Sequence, residues 1–251
     1  MPSAHPGSVD LTGRAYRSLR RMIESGEMAP RQKLSHRTLS RDLKIGRSPV
    51  RDALLRLEAE GLIEHRPGSG IYLREISAAE LEHVYEIRIL NEPHFAGQAA
   101  QHATTAQQAA LSRLCDRMAA IAGRPDLARW LADRDHVRHA ARLDVAFHRT
   151  VLESAGNPVA SRILASPNIL ALSFAWDLLF MRPEWLAEVA ERSLAGHRAV
   201  ADAIRRRDPE AATRAMREHL VWGRRDVPRH YAALLGAGRP RGAGGRRAAR
   251  P

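Results

Sequence analysis

Apolar residues at helical spacing mark a helix close to the N-terminus. Tyr16, Leu19 and Ile23 recur at the spacing of one helix face. Thr12 is the predicted N-cap and Gly26 the predicted stop. The preceding residues 1–10 show no such pattern, and we expect them to be disordered.

Two more helices are predicted directly after this one. Ser35 caps a short helix that turns Leu39 and Leu43 inward, and residues 44–46 form a tight connection. The next helix is predicted to begin at Ser48-Pro49, because proline is well tolerated at a first helical position. Its inward stripe has the spacing i, i+3, i+4, i+7 and consists of Val50, Ala53, Leu54 and Leu57.

The pattern then changes from helical to extended. Residues 62–66 and 71–73 read as two short strands around the loop Pro67-Gly68-Ser69-Gly70. Three helices followed by a hairpin are the order of a winged helix-turn-helix. We assign residues 11–76 to such a domain, with the hairpin as its wing.

From residue 77 the chain is predicted to be helical almost throughout. Ser77 and Glu80 form a capping box that opens a helix toward His102. The prediction for 77–235 is an all-α antiparallel helical bundle, so the whole chain is mainly α. Residues 236–251 are Arg- and Gly-rich and predict a basic disordered tail. Further helices are predicted at 104–122, 135–154, 158–180, 184–207 and 209–230.

Composition and charge restrict the function. The sequence has no secretory signal and no apolar run long enough to span a bilayer, and it has one cysteine, so we expect a cytoplasmic protein without a membrane partner. Residues 1–76 carry 14 Lys and Arg against 9 Asp and Glu, and the tail carries 5 against none. Basic ends on a nearly neutral body indicate that one end of the chain meets a polyanion while the body has another role.

Candidate DNA-binding residues lie at the start of the third helix. With its apolar stripe turned inward, Arg47, Ser48 and Arg51 sit at the exposed end. Arginine matches guanine O6 and N7 in a bidentate contact, and Ser48 with the free N–H groups suits a phosphate. Arg37, near the start of the second helix, can reach the DNA backbone or a flanking base. The alternative is that these arginines form only a solvated face.

The same segment resembles a known family of regulators. The string GRSPVRDAL (46–54), followed by LEAEGLI (57–63), is similar to the signature of the gluconate-repressor (GntR) family. The resemblance implies that Arg37, Arg47, Ser48 and Arg51 contact double-stranded DNA. It also implies that a wing glycine, Gly68 or Gly70, approaches the minor groove. Lys44 and Gly46 depart from the family pattern; a phosphate contact at Gly46 is then lost, and Lys44 is expected to supply another.

The helical domain contains a candidate metal site. Asp144 and His148 lie at i, i+4 on one predicted helix, and His197 and His219 lie on later helices. Together they suit a borderline divalent ion such as Zn, Ni, Mn or Fe. The alternative is that the histidines are surface or core residues with no shared role.

A second resemblance concerns this domain. The motifs around Asp144-Val-Ala-Phe-His148, His197 and His219 are similar to the metal-containing branch of the FadR subfamily. The resemblance implies that these four residues are the ligands, that a small carboxylate effector binds there, and that Arg88 helps to hold it. Arg88 can equally pair with Glu92 at i+4. Gly196, often Glu in that branch, is not a ligand, so this departure does little to weaken the resemblance.

These observations predict a transcription regulator. A homodimer would place two recognition helices on a palindromic operator, and a small organic acid would control its affinity, most simply as a repressor. Two alternatives remain open at this point. One is a metal-free regulator that binds an acyl-CoA-like ligand, and the other is a metal-dependent enzyme with a DNA-binding tail.

Overall fold

A computed structural model describes residues 10–24, 27–28, 31–75, 77–164 and 182–236. The described chain forms two compact units, one within residues 10–75 and one that begins at Ser77. None of the described helices is both long enough and apolar enough to cross a bilayer. The sequence predictions for residues 1–9 and 237–251 lie outside the described ranges, as does most of the helix predicted at 158–180.

The N-terminal unit contains three helices and a three-stranded antiparallel sheet in the order β1-β3-β2. Strand β3 pairs with both neighbours, so that Tyr72 faces Lys33 on one side and Glu64 on the other. The hairpin predicted as the wing is confirmed. The two-residue strand β1 was not predicted, because two residues show no alternation. The elements are α1 (Leu11–Glu24), β1 (Lys33–Leu34), α2 (His36–Leu43), α3 (Arg47–Ala59), β2 (Ile63–Arg66) and β3 (Gly70–Leu73).

Helix α1 begins one residue before the predicted cap. Thr12 lies inside the helix, and the carboxylate of Asp10 accepts a hydrogen bond from the Gly13 N–H at 2.7 Å. The prediction of Thr12 as the N-cap was therefore wrong. Asp is as good an N-cap as Thr, and here it precedes the helix at the position where its side chain reaches an orphan donor.

Helix α3 also begins earlier than predicted. Gly46 is its N-cap and makes no side-chain bond, so the assignment of Ser48 as the cap was wrong. Pro49 lies in the first turn, where its missing N–H costs nothing. The proline is therefore compatible with a helix that begins at Arg47. The inward stripe was predicted correctly: Val50, Ala53, Leu54 and Leu57 are all buried.

All the regular secondary structure in the described part of the C-terminal unit is helical. The capping box at Ser77 and Glu80 forms as predicted, with hydrogen bonds of 3.1 and 2.9 Å. The short helix α6 was not predicted. The helices are α4 (Ala78–His102), α5 (Thr105–Ala122), α6 (Leu127–Trp130), α7 (Arg134–Ser154), α8 (Pro158–Leu164), α9 (Pro183–Arg205) and α10 (Pro209–Gly236).

Four of these helices position the candidate site. Helix α4 packs against α10, α7 and α9, and α9 packs against α10. Phe147 of α7 is fully buried, and the centre of its ring lies 4.4 Å from that of His197 on α9. Side chains separated by more than a hundred residues in sequence can therefore converge between these helices.

Candidate functional site

The exposed face of α3 carries the predicted DNA-reading residues. Arg47, Ser48 and Arg51 are all exposed, whereas the opposite face of the helix forms the core of the unit. Arg51 makes only a surface ion pair with Asp52 at 3.5 Å. Such an exposed pair is worth little, so the guanidinium can turn to a base without a large cost. Arg37 is also exposed, at the start of α2.

Lys44, in the turn between α2 and α3, has a left-handed backbone conformation. Its φ is +54° and it is the C-cap of α2, with its N–H bonded to backbone carbonyls of the last turn. Buried Ile45 anchors the turn, and its carbonyl accepts a hydrogen bond from the Ser40 hydroxyl at 2.5 Å. The family that this segment resembles usually has glycine at this position, and glycine adopts the conformation without strain.

Replacing Lys44 with glycine is therefore expected to stabilise the protein and to weaken its binding to DNA. Relief of the left-handed strain is worth up to about 1 kcal/mol, visible as a higher Tm. Loss of the exposed ammonium removes one phosphate contact and lowers the salt dependence of DNA binding by about one unit of slope. Thermal unfolding measures the change in stability, and a salt titration of operator affinity measures the change in salt dependence. An unchanged salt slope would exclude Lys44 from the interface.

The wing presents two cations beside an aromatic ring. Gly68 has a φ of +72° and no neighbour within 4 Å of an added Cβ, as expected of an exposed wing tip. The Arg66 guanidinium lies 4.5 Å from the centre of the Tyr72 ring, and the Lys33 ammonium lies 6.0 Å from it. Gly70, at a φ of +120°, is half-buried against Lys33. The sequence did not single out Lys33 as a wing residue, because strand β1, which carries it, was not predicted.

The four predicted metal ligands meet in the second unit. One ligand atom from each of Asp144, His148, His197 and His219 lies within 4.8 Å of those of the others. The Nε2 of His148 is 3.3 Å from the Nε2 of His197 and 3.3 Å from that of His219. The carboxylate of Asp144 completes the cluster, with Oδ1 3.4 Å from His197 Nε2 and Oδ2 3.7 Å from His148 Nε2.

The donor set fits a divalent cation. His148 and His197 are fully buried, yet one nitrogen of His148 is shared between two other imidazoles. The Oδ2 of Asp144 is buried and has no hydrogen-bond partner in the described part of the chain. An ion that accepts one lone pair from each of the four side chains would satisfy the clustered Nε2 and carboxylate atoms. The Nδ1 atoms of His197 and His219 are also buried and have no hydrogen-bond partner among the described residues. Imidazole and carboxylate are the ligands that Zn, Ni, Mn and Fe share.

Burial controls the protonation of these groups. Burial raises the pKa of Asp144 to about 6, although the charge of His148 acts in the opposite direction. Burial also lowers the pKa values of His197 and His219 well below their ordinary value, and neighbouring imidazoles lower them further. Both histidines are therefore neutral at pH 7, as a metal ligand must be.

A buried ion pair lies directly behind His148. The Nδ1 of His148 is 2.6 Å from Oε2 of Glu92, and the other oxygen of Glu92 accepts a bond from Arg88 Nε at 2.5 Å. Burial disfavours the charged form of Glu92, but Arg88 and His148 outweigh it and hold the pKa of this carboxyl below its ordinary range. Arg88 thus makes the pairing that the sequence offered as the alternative to effector binding. The contact of Glu92 with His148 had no local sequence signal.

Gly196 lies against one of the candidate ligands. A Cβ at this position would come within 2.6 Å of Nδ1 and 3.1 Å of Cβ of His219. Because a Cβ atom moves only with its backbone, a side chain at 196 would force α9 and α10 apart or displace the imidazole. This chain therefore has a steric reason for glycine at 196, and all four candidate ligands meet beside it.

Replacing Gly196 with alanine is expected to weaken metal binding although all four ligands remain. We expect a loss on the order of 10-fold in Zn²⁺ affinity, together with about 1–3 kcal/mol of lost stability from overpacking. Competition against a chromogenic chelator measures the Zn²⁺ affinity, and thermal unfolding measures the stability. Ala195→Gly, at an exposed neighbouring position, isolates the effect of helix propensity. Unchanged affinity in Gly196→Ala would contradict the role of this close approach.

Comparison with known families agrees with both units. Residues 11–73 match the model for bacterial regulatory proteins of the gntR family, and residues 83–221, more than half of the chain, match the FCD domain. The chain belongs to the GntR family. It is therefore a transcription regulator of the FadR subfamily and not an enzyme.

The relatives of this GntR-family regulator align with it over most of its length. The chain is 31% identical to the HTH-type transcriptional repressor NanR of Cronobacter sakazakii, over 80% of this chain and 79% of the relative. It is 29% identical to NanR of Escherichia coli K12, over 80% and 76%. The fold is shared with E. coli McbR/YncC, at a TM-score of 0.68 and 18% identity, over 90% of this chain and 99% of that one.

Proposed function

We propose that this GntR-family regulator is a repressor whose affinity for its operator is controlled by a small carboxylate effector bound at a metal ion. Asp144, His148, His197 and His219 would hold the ion. The repressor role follows the names of the NanR relatives. The observation that carries the proposal is the convergence of three imidazole nitrogens and one carboxylate between buried helix faces.

The DNA-binding half of the proposal concerns the exposed residues of the N-terminal unit. A homodimer would set two α3 helices in successive major grooves of a palindrome. Arg47 and Arg51 would read base edges, and the wing glycines would allow close approach to the minor groove. The supporting residues are Arg37, Lys44, Arg47, Ser48, Arg51, Gly68 and Gly70, of which all but the half-buried Gly70 are exposed.

Charge balance favours an anionic effector. A divalent ion with Asp144 and three neutral histidines leaves one net positive charge in a buried site, because Arg88 and Glu92 cancel each other. A single carboxylate would neutralise that charge and could occupy an open position on the ion. The assignment of Arg88 to the effector stays a prediction, since Glu92 engages the same guanidinium.

A metal-free regulator with an acyl-CoA-like ligand is the weaker alternative. A long acyl chain needs an apolar cavity, whereas three histidines, two acids and Arg88 are buried where α4, α7, α9 and α10 meet. Burying such groups without a charged partner is costly. The polar cluster therefore favours a metal and a small polar ligand.

Operator titrations test the proposal as a whole. Footprinting on the gene's own promoter would first define the operator as a symmetric pair of half-sites. Fluorescence anisotropy would then measure affinity for it with a panel of small organic acids. We expect one acid to weaken binding by metal-loaded protein and to have no effect on metal-stripped protein or on His197→Ala. An equal effect of the acid on loaded and stripped protein would contradict the metal site.

Metal affinity should depend on pH through Asp144. The pKa of this carboxyl is about 6, so a proton competes with the ion below that value and not above it. We expect affinity to fall below about pH 6, with a slope that approaches ~10-fold per pH unit. Isothermal titration with Zn²⁺ between pH 5 and 7.5 measures this, with Asp144→Asn as the variant that loses the carboxylate. A flat profile down to pH 5 would exclude Asp144 as a ligand.

A further inference from the structure

Glu92 contacts the candidate site without belonging to its ligand set. It is separated from His148 by 56 positions in sequence, yet its Oε2 lies 2.6 Å from His148 Nδ1. Both side chains are almost completely buried. Nδ1 is the ring nitrogen that points away from the cluster, whereas Nε2 faces His197 and His219.

From this geometry we infer that Glu92 is a positioning residue that fixes the tautomer and orientation of His148. An ionised carboxylate can only accept a hydrogen bond, so the bond requires the proton of His148 to be on Nδ1. A neutral imidazole with its proton on Nδ1 has its lone pair on Nε2. The lone pair is then directed toward the other three candidate ligands, as a metal ion would require.

Arg88 completes this arrangement by holding Glu92. Its Nε donates to Oε1 of Glu92 at 2.5 Å, and an Nη atom lies 3.5 Å from Oε2. Arg88 thus contacts both oxygens of Glu92, and His148 contacts Oε2, so rotation of the carboxylate would break a buried bond. Arg88 and Glu92 lie one turn apart on α4, and Glu92 connects Arg88 to His148 on α7.

A merely structural Arg88–Glu92 pair would not control the tautomer of His148, and that difference can be measured. Long-range 1H–15N correlation spectra of the metal-free protein report which ring nitrogen carries the proton, with His148→Asn identifying the signal. We expect His148 to be in the Nδ1–H form in the wild type and in a mixture of tautomers in Glu92→Leu. A wild-type His148 in the Nε2–H form would overturn the inference.

Zn²⁺ affinity provides the second test, and this part rests on the proposed metal site. Glu92→Gln should lower affinity by about 10–100-fold while all four ligands remain. Glu86→Gln is the matched control, because Glu86 lies on the same helix and also pairs with an arginine, Arg224 at 2.6 Å, but at the surface. We expect wild-type affinity from that control.

A double variant distinguishes a loss of stability from a loss of the positioning of His148. Glu92→Gln leaves Arg88 buried without its carboxylate, which can destabilise the protein. Arg88→Met with Glu92→Gln removes both charges and should restore the unfolding temperature of the metal-free protein, but not the Zn²⁺ affinity. Recovery of wild-type affinity in the double variant would overturn the positioning role. Failure of the wild type to bind metal would instead contradict the proposed function and leave the tautomer result standing.

Discussion

Replacing His219 with alanine is expected to abolish the stabilisation of the protein by metal. At a metal concentration 100-fold above Kd, a bound ion stabilises the folded state by about 2.7 kcal/mol. For a unit of this size that corresponds to a Tm increase of roughly 5–10 °C. We expect this increase on adding Zn²⁺ to the wild type and none in His219→Ala. His219 is the least buried of the three imidazoles, so its removal should disturb the core least.

Differential scanning calorimetry with and without a chelator measures this effect. His83→Ala is the matched control, because His83 is an exposed histidine of α4 that lies outside the cluster. His83→Ala should keep the full increase in Tm on adding Zn²⁺. An equal metal-dependent shift in His219→Ala would show that the ion binds elsewhere.

Removing Arg51 is the second large expected effect, on operator recognition. A bidentate contact to guanine is worth about 1–3 kcal/mol, so Arg51→Ala should raise the operator Kd by roughly 5–150-fold. Binding to unrelated DNA should change much less, because only one positive charge is lost. Arg47→Ala is expected to behave in the same way. The specificity ratio, measured at one fixed salt concentration, is therefore the informative quantity.

Arg113 provides the control for lost charge. It is an exposed residue of α5 in the other unit, and Arg113→Ala changes the net charge by the same amount. We expect it to leave the specificity ratio unchanged. If Arg51→Ala lost affinity equally for operator and unrelated DNA, Arg51 would contact phosphate and not a base.

The N-terminal unit could be predicted well because its signals are local. The stripe of α3 follows from residue spacing, and all four of its members are buried. The start of the helix was misplaced at Ser48 because a serine followed by proline is a common cap pattern, and proline is tolerated through the whole first turn. Strand β1 depends on pairing with Tyr72, which is distant in sequence and gives no local pattern.

The candidate site shows the same distinction between local and distant contacts. Asp144 and His148 could be paired from their spacing on one helix, whereas their meeting with His197 and His219 was expected mainly from the family resemblance. The role of Glu92 depends on how α4 packs against α7, which no spacing along one helix reveals. The close approach of Gly196 to His219 is likewise a property of two packed helices.

Elemental analysis of the purified protein, expressed without a histidine tag, tests whether the four-residue cluster holds a metal ion. We expect one divalent ion of Zn, Ni, Mn or Fe per chain in the wild type and none in His197→Ala, with both proteins folded by circular dichroism. A folded wild type without stoichiometric metal after growth in metal-supplemented medium, or a His197→Ala variant with the same metal content as the wild type, would contradict it.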